Sequence, residues 1–303
     1  MRAVIERFQL LERIGSGGEG EAWLALDRST LKTVVCKKRR TPDLSASLTG
    51  NQSAVSSTSV LSLLEGTRRV LPVAEIQMFS SADAVWSVCP YVDGIALETL
   101  VANNPDACGG LGIAMEILYQ LSLRIVSLHQ QRVMHGDVSP ANILIGTKGD
   151  VSLIDFGQSA QFGEQASAWG ARGFIAPEKL NQGVACAESD AFSFGCLIYW
   201  LLTGRLPEML INGRVAVDLI APRMPGPLCS VKEDLLALAA GLTGLDANDR
   251  VSMQNASRTV KTLQQEIPSG GIEGLAALVS RHGLLSSKAN DCPLHQQTLS
   301  PWV

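Results

Sequence analysis

Apolar and polar residues alternate from Phe8 to Arg40 around a cluster of glycines, a period of two that predicts two or three strands joined by tight turns. Two further strand-like runs cover Val70 to Phe79 and Ala84 to Val92. From Leu111 onward, as in IAMEILYQLSLRIVSLHQ, the apolar spacing becomes helical, and helical spacing dominates the rest of the chain. Strands first and helices afterwards predict an α+β chain. A small sheet-dominated lobe spans residues 1–92, a larger helical lobe spans 93–268, and a hinge lies near Pro90 to Gly94.

Between these runs the pattern weakens. Residues 41–60 carry six serines, three threonines and one charge, Asp43, and read as a loop or a weakly supported helix. A turn-rich break, Ile267-Pro268-Ser269-Gly270-Gly271, leads into a tail, 269–303, with one short helical pattern, IEGLAALVSRH, and no assignable role. The most apolar stretch, Ala191 to Thr203, is shorter than the ~20 residues a membrane span needs and reads as a buried helix.

Composition narrows the class. The chain has 303 residues, 46% of them hydrophobic, enough for a substantial core, and a formal net charge of −4. The only dense basic patch is Lys37 to Arg40, which argues against a nucleic-acid partner or an anionic membrane surface. Seven cysteines, an odd number with no CxxC pair, fit a reducing compartment better than a disulfide framework. The N-terminus mixes charge through its first dozen residues and lacks an apolar signal core. A soluble, cytoplasmic protein without a membrane span is therefore expected, its oligomeric state open.

The candidate chemistry lies in three places. Gly15-Ser16-Gly17-Gly18-Glu19-Gly20 fits G-x-G-x-x-G between two predicted strands. A dinucleotide fingerprint would need a helix to follow, so a phosphate-covering hairpin is the chemical reading and an ordinary hairpin the bland one. Lys37 ends the strand-like run TVVCK, 22 residues after Gly15, where an ammonium can reach phosphate oxygens. HGDVSPAN then supplies Asp137 and, five residues later, Asn142, and a strand thirteen residues further on delivers Asp155 in Asp155-Phe156-Gly157. Phosphoryl transfer needs a carboxylate near the attacking hydroxyl and oxygen ligands for a divalent cation; these residues carry both.

In these motifs the chain resembles the eukaryotic-like (Hanks-type) serine/threonine protein kinases, over Gly15 to Arg250. The resemblance implies a two-lobed protein-kinase-like fold with a small antiparallel β-sheet N-lobe and a larger helical C-lobe. It implies an ATP- and Mg²⁺- (or Mn²⁺-) dependent transfer of the γ-phosphate to a serine or threonine hydroxyl of a protein substrate. Asp137 then looks like the catalytic base, Lys37 the ATP-anchoring lysine, Asn142 a metal ligand and Asp155 the principal one. The nucleotide-binding set becomes Gly15, Ser16, Gly17, Gly18 and Gly20 of the loop, Ala22, Val35 and Lys37 of the strands, and Pro90 and Val92 of the hinge. Ala176-Pro177-Glu178 looks like the motif closing the activation segment, Asp190 the buried aspartate that holds the catalytic loop, and Arg250 the partner of Glu178.

Departures keep two alternatives open. His-Gly-Asp is also the pattern of aminoglycoside and choline phosphotransferases, although those typically lack the Ala-Pro-Glu segment and the aspartate-bearing helix. The glutamate that usually holds the lysine is missing: counting from Lys37 reaches Ser57, with Glu65 or Glu75 as substitutes, and this vacancy motivates a pseudokinase reading. Ala22 and Val35 replace the family's valine and alanine and conserve the summed volume of an adenine pocket. Ser139 stands where lysine is common and Ala171 where threonine is common. His282, Cys292 and His295 are too irregular for a metal site, His129 reads as a satisfied helix-end residue, and Trp86, Trp169 and Trp200 read as packing residues.

Gly136 removes the arginine that commonly reads a phosphorylated activation segment, and Gln158 to Arg172 offers only Ser159 and Ser167 as acceptors. Activity is therefore expected not to require phosphorylation there. The double variant Ser159→Ala/Ser167→Ala should keep wild-type turnover in a labelled-ATP assay; lost turnover in a folded variant would refute this.

Overall fold

The period-two segments pair into one antiparallel sheet: β1 (Phe8–Gly17), β2 (Gly20–Asp27), β3 (Lys32–Arg40), β4 (Gln77–Ser80) and β5 (Ala84–Pro90), in the order β1-β2-β3-β5-β4. The computed structural model describes residues 7–17, 20–40, 77–80, 84–103, 110–181, 183–206, 230–267 and 270–290. The serine-rich segment 41–60, residues 70–76 of the expected strand, and Ser57, Glu65 and Glu75 lie outside them.

Register decides what each face of this sheet does. Cys36 stands opposite Trp23 and Val88, and Val34 opposite Ala25. Together with Phe8 and Trp86 these side chains form the small core of the sheet. Lys37 stands opposite Ala22 and Ser87, and Val35 opposite Leu24 and Cys89, so these residues share the other face, because side chains alternate along a strand. A slip of one residue would send Lys37 into the apolar core.

After β5 the chain runs through residues 91–94 without regular structure into β6 (Ile95–Ala96). Tyr91 N–H still bonds to Thr33 O at 3.2 Å, so the hinge leaves the sheet only after Tyr91. Gly94 passes so close to β8 (Ile143–Ile145) that a Cβ there would lie 2.9 Å from Ile145 O. This close approach pins the hinge to the second lobe.

The second lobe is built on α2 (Leu111–Gln130) and α4 (Ala187–Thr203), after the short α1 (Leu97–Asn103). Leu118, Leu121, Ile125 and Leu128 of α2 are fully buried, and α4 is buried on nearly all sides, as a helix apolar all round must be. The expectation of a buried helix at Ala191 to Thr203 thus holds. Among the described residues α2 is the one helix long and apolar enough to cross a membrane, and here it packs in the core of the lobe. Short α3 (Pro177–Leu180), α5 (Ser230–Leu242) and α6 (Met253–Gln265) complete the helical layer, with α6 lying along α2. Two small β-ladders, β6-β8-β9 with β9 at Val151–Leu153, and β7 (Val133–Met134) with β10 (Ala160–Gln161), carry the loops that matter below.

The short helical pattern expected in the tail opens a longer helix, α7 (Gly271–Asn290), docked on the lobe. Leu275, Leu278 and Val279 are buried there. Gly271 lets it come close: a Cβ would stand 2.8 Å from Gly112 O.

Arg250 follows the turn Ala247–Asp249 and is buried, forking onto Glu178 with Nη1–Oε1 at 2.7 Å and Nη2–Oε2 at 2.8 Å. The same guanidinium donates to Gly244 O and Glu188 O, both at 2.8 Å. Burial alone would raise the pKa of Glu178; the bonds from Arg250 and Ser189 more than offset it, and the net shift is downward. Removing the buried Arg250 strands the half-buried Glu178 charge and the three carbonyls, Gly244 O, Glu188 O and Leu245 O, that it serves. Arg250→Ala should lower the unfolding free energy by about 3–5 kcal/mol, and Arg250→Lys should recover only part of it, because an ammonium cannot fork. Denaturant unfolding of the three proteins measures this; an Arg250→Ala midpoint equal to wild type would contradict it.

Candidate active site

Residues 135–142 form the loop between β7 and β8, and a buried carboxylate from α4 shapes it. Asp190, 0% exposed, accepts the backbone N–H groups of His135 and Gly136, each at 2.8 Å, on its two oxygens. His129 Nε2 lies 2.9 Å from Asp190 Oδ2. His129 is therefore satisfied, as expected, but as a brace of the loop rather than as a simple helix end. Burial pushes the Asp190 pKa up, and the His129 contact together with the Gly136 amide outweighs this, giving a net lowered value.

His135 is wholly buried, with Nε2 3.1 Å from Ile154 O and Nδ1 accepting the Asp137 N–H at 3.2 Å. Only the neutral tautomer with its proton on Nε2 satisfies both contacts, and burial, which lowers its pKa, favours that neutral form. Its ring meets Phe156 edge-on, with centroids 4.8 Å apart. Gly136 next to it has φ +81°, and a Cβ there would run into Gln158 O. The glycine that replaces the family's arginine is thus required by this backbone, which brings the loop against the turn Phe156–Gln158.

Asp137 is held from two sides. Asn142 Nδ2 donates to Asp137 Oδ2 at 2.7 Å and to Asp137 O at 2.9 Å, and the Ala171 N–H donates to Asp137 Oδ1 at 2.8 Å. A main-chain amide therefore holds the carboxylate at the position where threonine is common. The Ile154 N–H donates to Asn142 O at 2.9 Å, which couples this loop to the strand end that delivers Asp155. Asp155 has φ 65°, a left-handed conformation that aspartate tolerates better than most residues, and its Oδ1 accepts the Gly157 N–H at 3.2 Å.

Across the cleft, Lys37 Nζ lies 2.6 Å from Asp155 Oδ2. Among the described residues the lysine read as lacking a carboxylate has one, supplied by the second lobe, while Ser57, Glu65 and Glu75 lie outside them. Burial would raise the Asp155 pKa, but Lys37 overrides it and the net direction is down. The contact also orients the sheet face bearing Ala22, Val35 and Lys37 toward the catalytic loop. Gly15, Ser16, Gly17 and Gly20 lie at the β1–β2 end, with Gly17 opposite Gly20 and Ser16 opposite Glu21; Gly18 is outside the described residues. Pro90 ends β5 opposite Val34, and Val92 lies half-buried in the hinge. The structure thus gathers Lys37, Asp137, Asn142 and Asp155 at one cleft, with Ala22 and Val35 on its sheet wall.

Two expectations fail. Ser159 is buried, with Oγ on Phe156 O at 2.5 Å, so of the two activation-segment serines only Ser167 is accessible. Trp169 is 75% exposed and is no packing residue, whereas Trp86 is buried and Trp200 packs against the lobe core. No cluster of three metal-binding His, Cys, Asp or Glu side chains occurs among the described residues. Cys292 and His295 lie outside them. Sequence reasoning also missed Lys179, 2% exposed, whose Nζ donates to Gly136 O and, at 3.1 Å, to Trp169 O. No sequence signal marks it, because a lysine beside a helix start is normally solvated.

A five-stranded lobe joined by a hinge to a helical lobe, with lysine, aspartate and asparagine converging between them, is the architecture of a protein kinase. Residues 8–260 match the family model described as protein kinase domain, and the chain belongs to that family. It is similar to the serine/threonine-protein kinase PrkC of Bacillus subtilis, 28% identical over 232 residues, covering 75% of this chain and 34% of that protein. Similar relatives include serine/threonine-protein kinase PknD of Chlamydia pneumoniae, 23% identical over 299 residues (88% of this chain, 31% of that protein). A third is serine/threonine-protein kinase PknB of Mycolicibacterium smegmatis, 27% identical over 228 residues (70% and 35%). The chain thus spans about a third of the length of these relatives.

The Gly136 geometry makes a direct prediction. Gly136→Ala should cost about 1–3 kcal/mol of stability, from the left-handed backbone and the contact with Gln158 O. Chemical denaturation measures the loss, and an alanine variant unfolding at the wild-type midpoint would show that the loop needs no glycine.

Proposed function

We propose that this chain is an ATP-dependent protein kinase that phosphorylates serine or threonine side chains. The single observation that carries this reading is the double hold on Asp137, by Asn142 Nδ2 and by the Ala171 N–H, on a loop whose Asn142 O takes the N–H of Ile154, next to the Asp155 that meets Lys37. Kinase family membership implies ATP use, and the relatives' names point to serine and threonine acceptors.

In this reading Asp137 orients an acceptor hydroxyl and takes its proton as the oxygen bonds to the γ-phosphorus. The bond from that phosphorus to the β–γ bridging oxygen breaks, and ADP leaves. Lys37 supplies positive charge to the phosphates, the glycine hairpin covers them, and the face bearing Ala22 and Val35 walls the adenine, with Pro90 and Val92 at the hinge.

Asn142 and Asp155 fit a hard divalent cation such as Mg²⁺ or Mn²⁺: they offer an amide and a carboxylate oxygen, and both Nδ2 bonds of Asn142 run to Asp137, leaving its Oδ1 for the ion. Bound there, such an ion would neutralise charge on the phosphates. The Lys37 ammonium on Asp155 already marks the spot as one that attracts cations. The braced loop, anchored through Asp190, and the Arg250–Glu178 fork favour a protein acceptor over the small molecules taken by aminoglycoside and choline phosphotransferases.

The test uses purified chain with labelled ATP, Mg²⁺ or Mn²⁺ and a generic acceptor protein. Transfer to serine or threonine is expected, falling by about 10²–10⁴-fold in Asp137→Ala and in Asp155→Asn. Nucleotide binding without transfer to any acceptor would instead support the pseudokinase reading. Transfer to an aminoglycoside or choline alone would support the small-molecule reading.

A further inference from the structure

The catalytic loop and the activation segment meet at a buried cation that neither motif contains. Lys179, in the first turn of α3, is 2% exposed, and its Nζ donates to Gly136 O in the loop and to Trp169 O in the segment, the latter at 3.1 Å. Gly136 immediately precedes Asp137, and Trp169 lies two residues before Ala171, whose N–H holds Asp137 Oδ1 at 2.8 Å. The ammonium therefore bridges the two backbone stretches between which the Asp137 carboxylate is fixed.

Burying a lysine is costly, and this one is placed where its charge is used. Burial lowers its pKa, and Asp190, Asp137 and Glu178 are the acidic groups whose fields act against that. Of the two buried lysines among the described residues, Lys179 and Lys232, only Lys179 makes these contacts. The loop itself brings no cation: positions 136 and 139 are glycine and serine, and the buried Ser139 Oγ has no hydrogen-bond partner among the described residues. Nothing in the bridge involves a phosphate, and its segment end is a main-chain carbonyl.

We propose that Lys179 is a positioning residue: its ammonium ties the catalytic loop to the activation segment and thereby keeps the Ala171 N–H on Asp137 in the unphosphorylated protein. For catalysis this rests on the kinase reading above; as a statement about order in the segment it does not. The segment is then assembled by an internal cation, and phosphorylation has no ordering task left to perform.

The experiment compares the full chain with Lys179→Met by hydrogen exchange and, in parallel, by transfer kinetics. In the variant, amide exchange at Gly170 to Arg172 should accelerate about tenfold or more, while exchange in α2 (Leu111–Gln130) stays at the wild-type rate. Turnover should fall about ten- to a hundredfold with the KM for ATP unchanged, because the loss lies in aligning Asp137. Trp169→Ala, which leaves the carbonyl in place, should not change exchange at Ala171. Should Lys179→Met not fold, Lys179→Gln, which keeps a donor and drops the charge, is measured in its place. Exchange at Ala171 within about twofold of wild type, acceleration shared equally by α2, or failure of both variants to fold would each overturn the proposal, the last two by making Lys179 a fold anchor. A wild-type protein with no transfer activity would refute the kinase reading instead, and the exchange comparison would still decide the role of Lys179.

Discussion

Asp190 carries a negative charge in the centre of the helical lobe, where an unpaired carboxylate would be untenable, and its partners make that burial possible. Two of them are the amides of His135 and Gly136, so satisfying the charge and shaping the catalytic loop are one event. A third, His129, ties the same carboxylate to the end of α2, the helix on which the lobe is built. The rest of the site follows from this anchor. His135 is positioned to hold Ile154 O, Asn142 to receive the Ile154 N–H, and Asp155 then emerges next to the loop that bears Asp137.

The same economy of contacts links the two lobes. The sheet delivers Lys37 to the second lobe, where it meets Asp155 at 2.6 Å. Strand register is what aims it: Ala22, Val35 and Lys37 share one face, while Cys36 and Val88 fill the core behind them. The hinge is tied down by the Tyr91 N–H on Thr33 O and by the close approach of Gly94 to Ile145 O.

Around the activation segment, small and neutral residues stand where family members commonly place charge or hydroxyl groups, and main-chain groups take over. Ala171 contributes its amide to Asp137, Gly136 a carbonyl to Lys179, and Trp169 a second carbonyl. Contacts of this kind are made by main-chain groups, which explains how the chain departs from the familiar pattern and still holds the aspartate in place.

Much of this was legible in the residues alone. Period-two and helical spacing gave the two lobes and their order, because burying one face of a strand or helix leaves its period in the sequence. Asp137, Asn142 and Asp155 were legible because each is a chemical type at a fixed spacing, and the Glu178–Arg250 pair through the resemblance to the kinase family. Tertiary structure alone decided that Lys37 pairs with Asp155, that Gly136 is demanded by a positive φ against Gln158 O, that Ser159 is buried and Trp169 exposed, and that Lys179 enters the loop. Each depends on two segments far apart in the chain meeting at a distance of a few ångströms. A linear pattern records which residues want burial or charge; it does not record which of them will be neighbours.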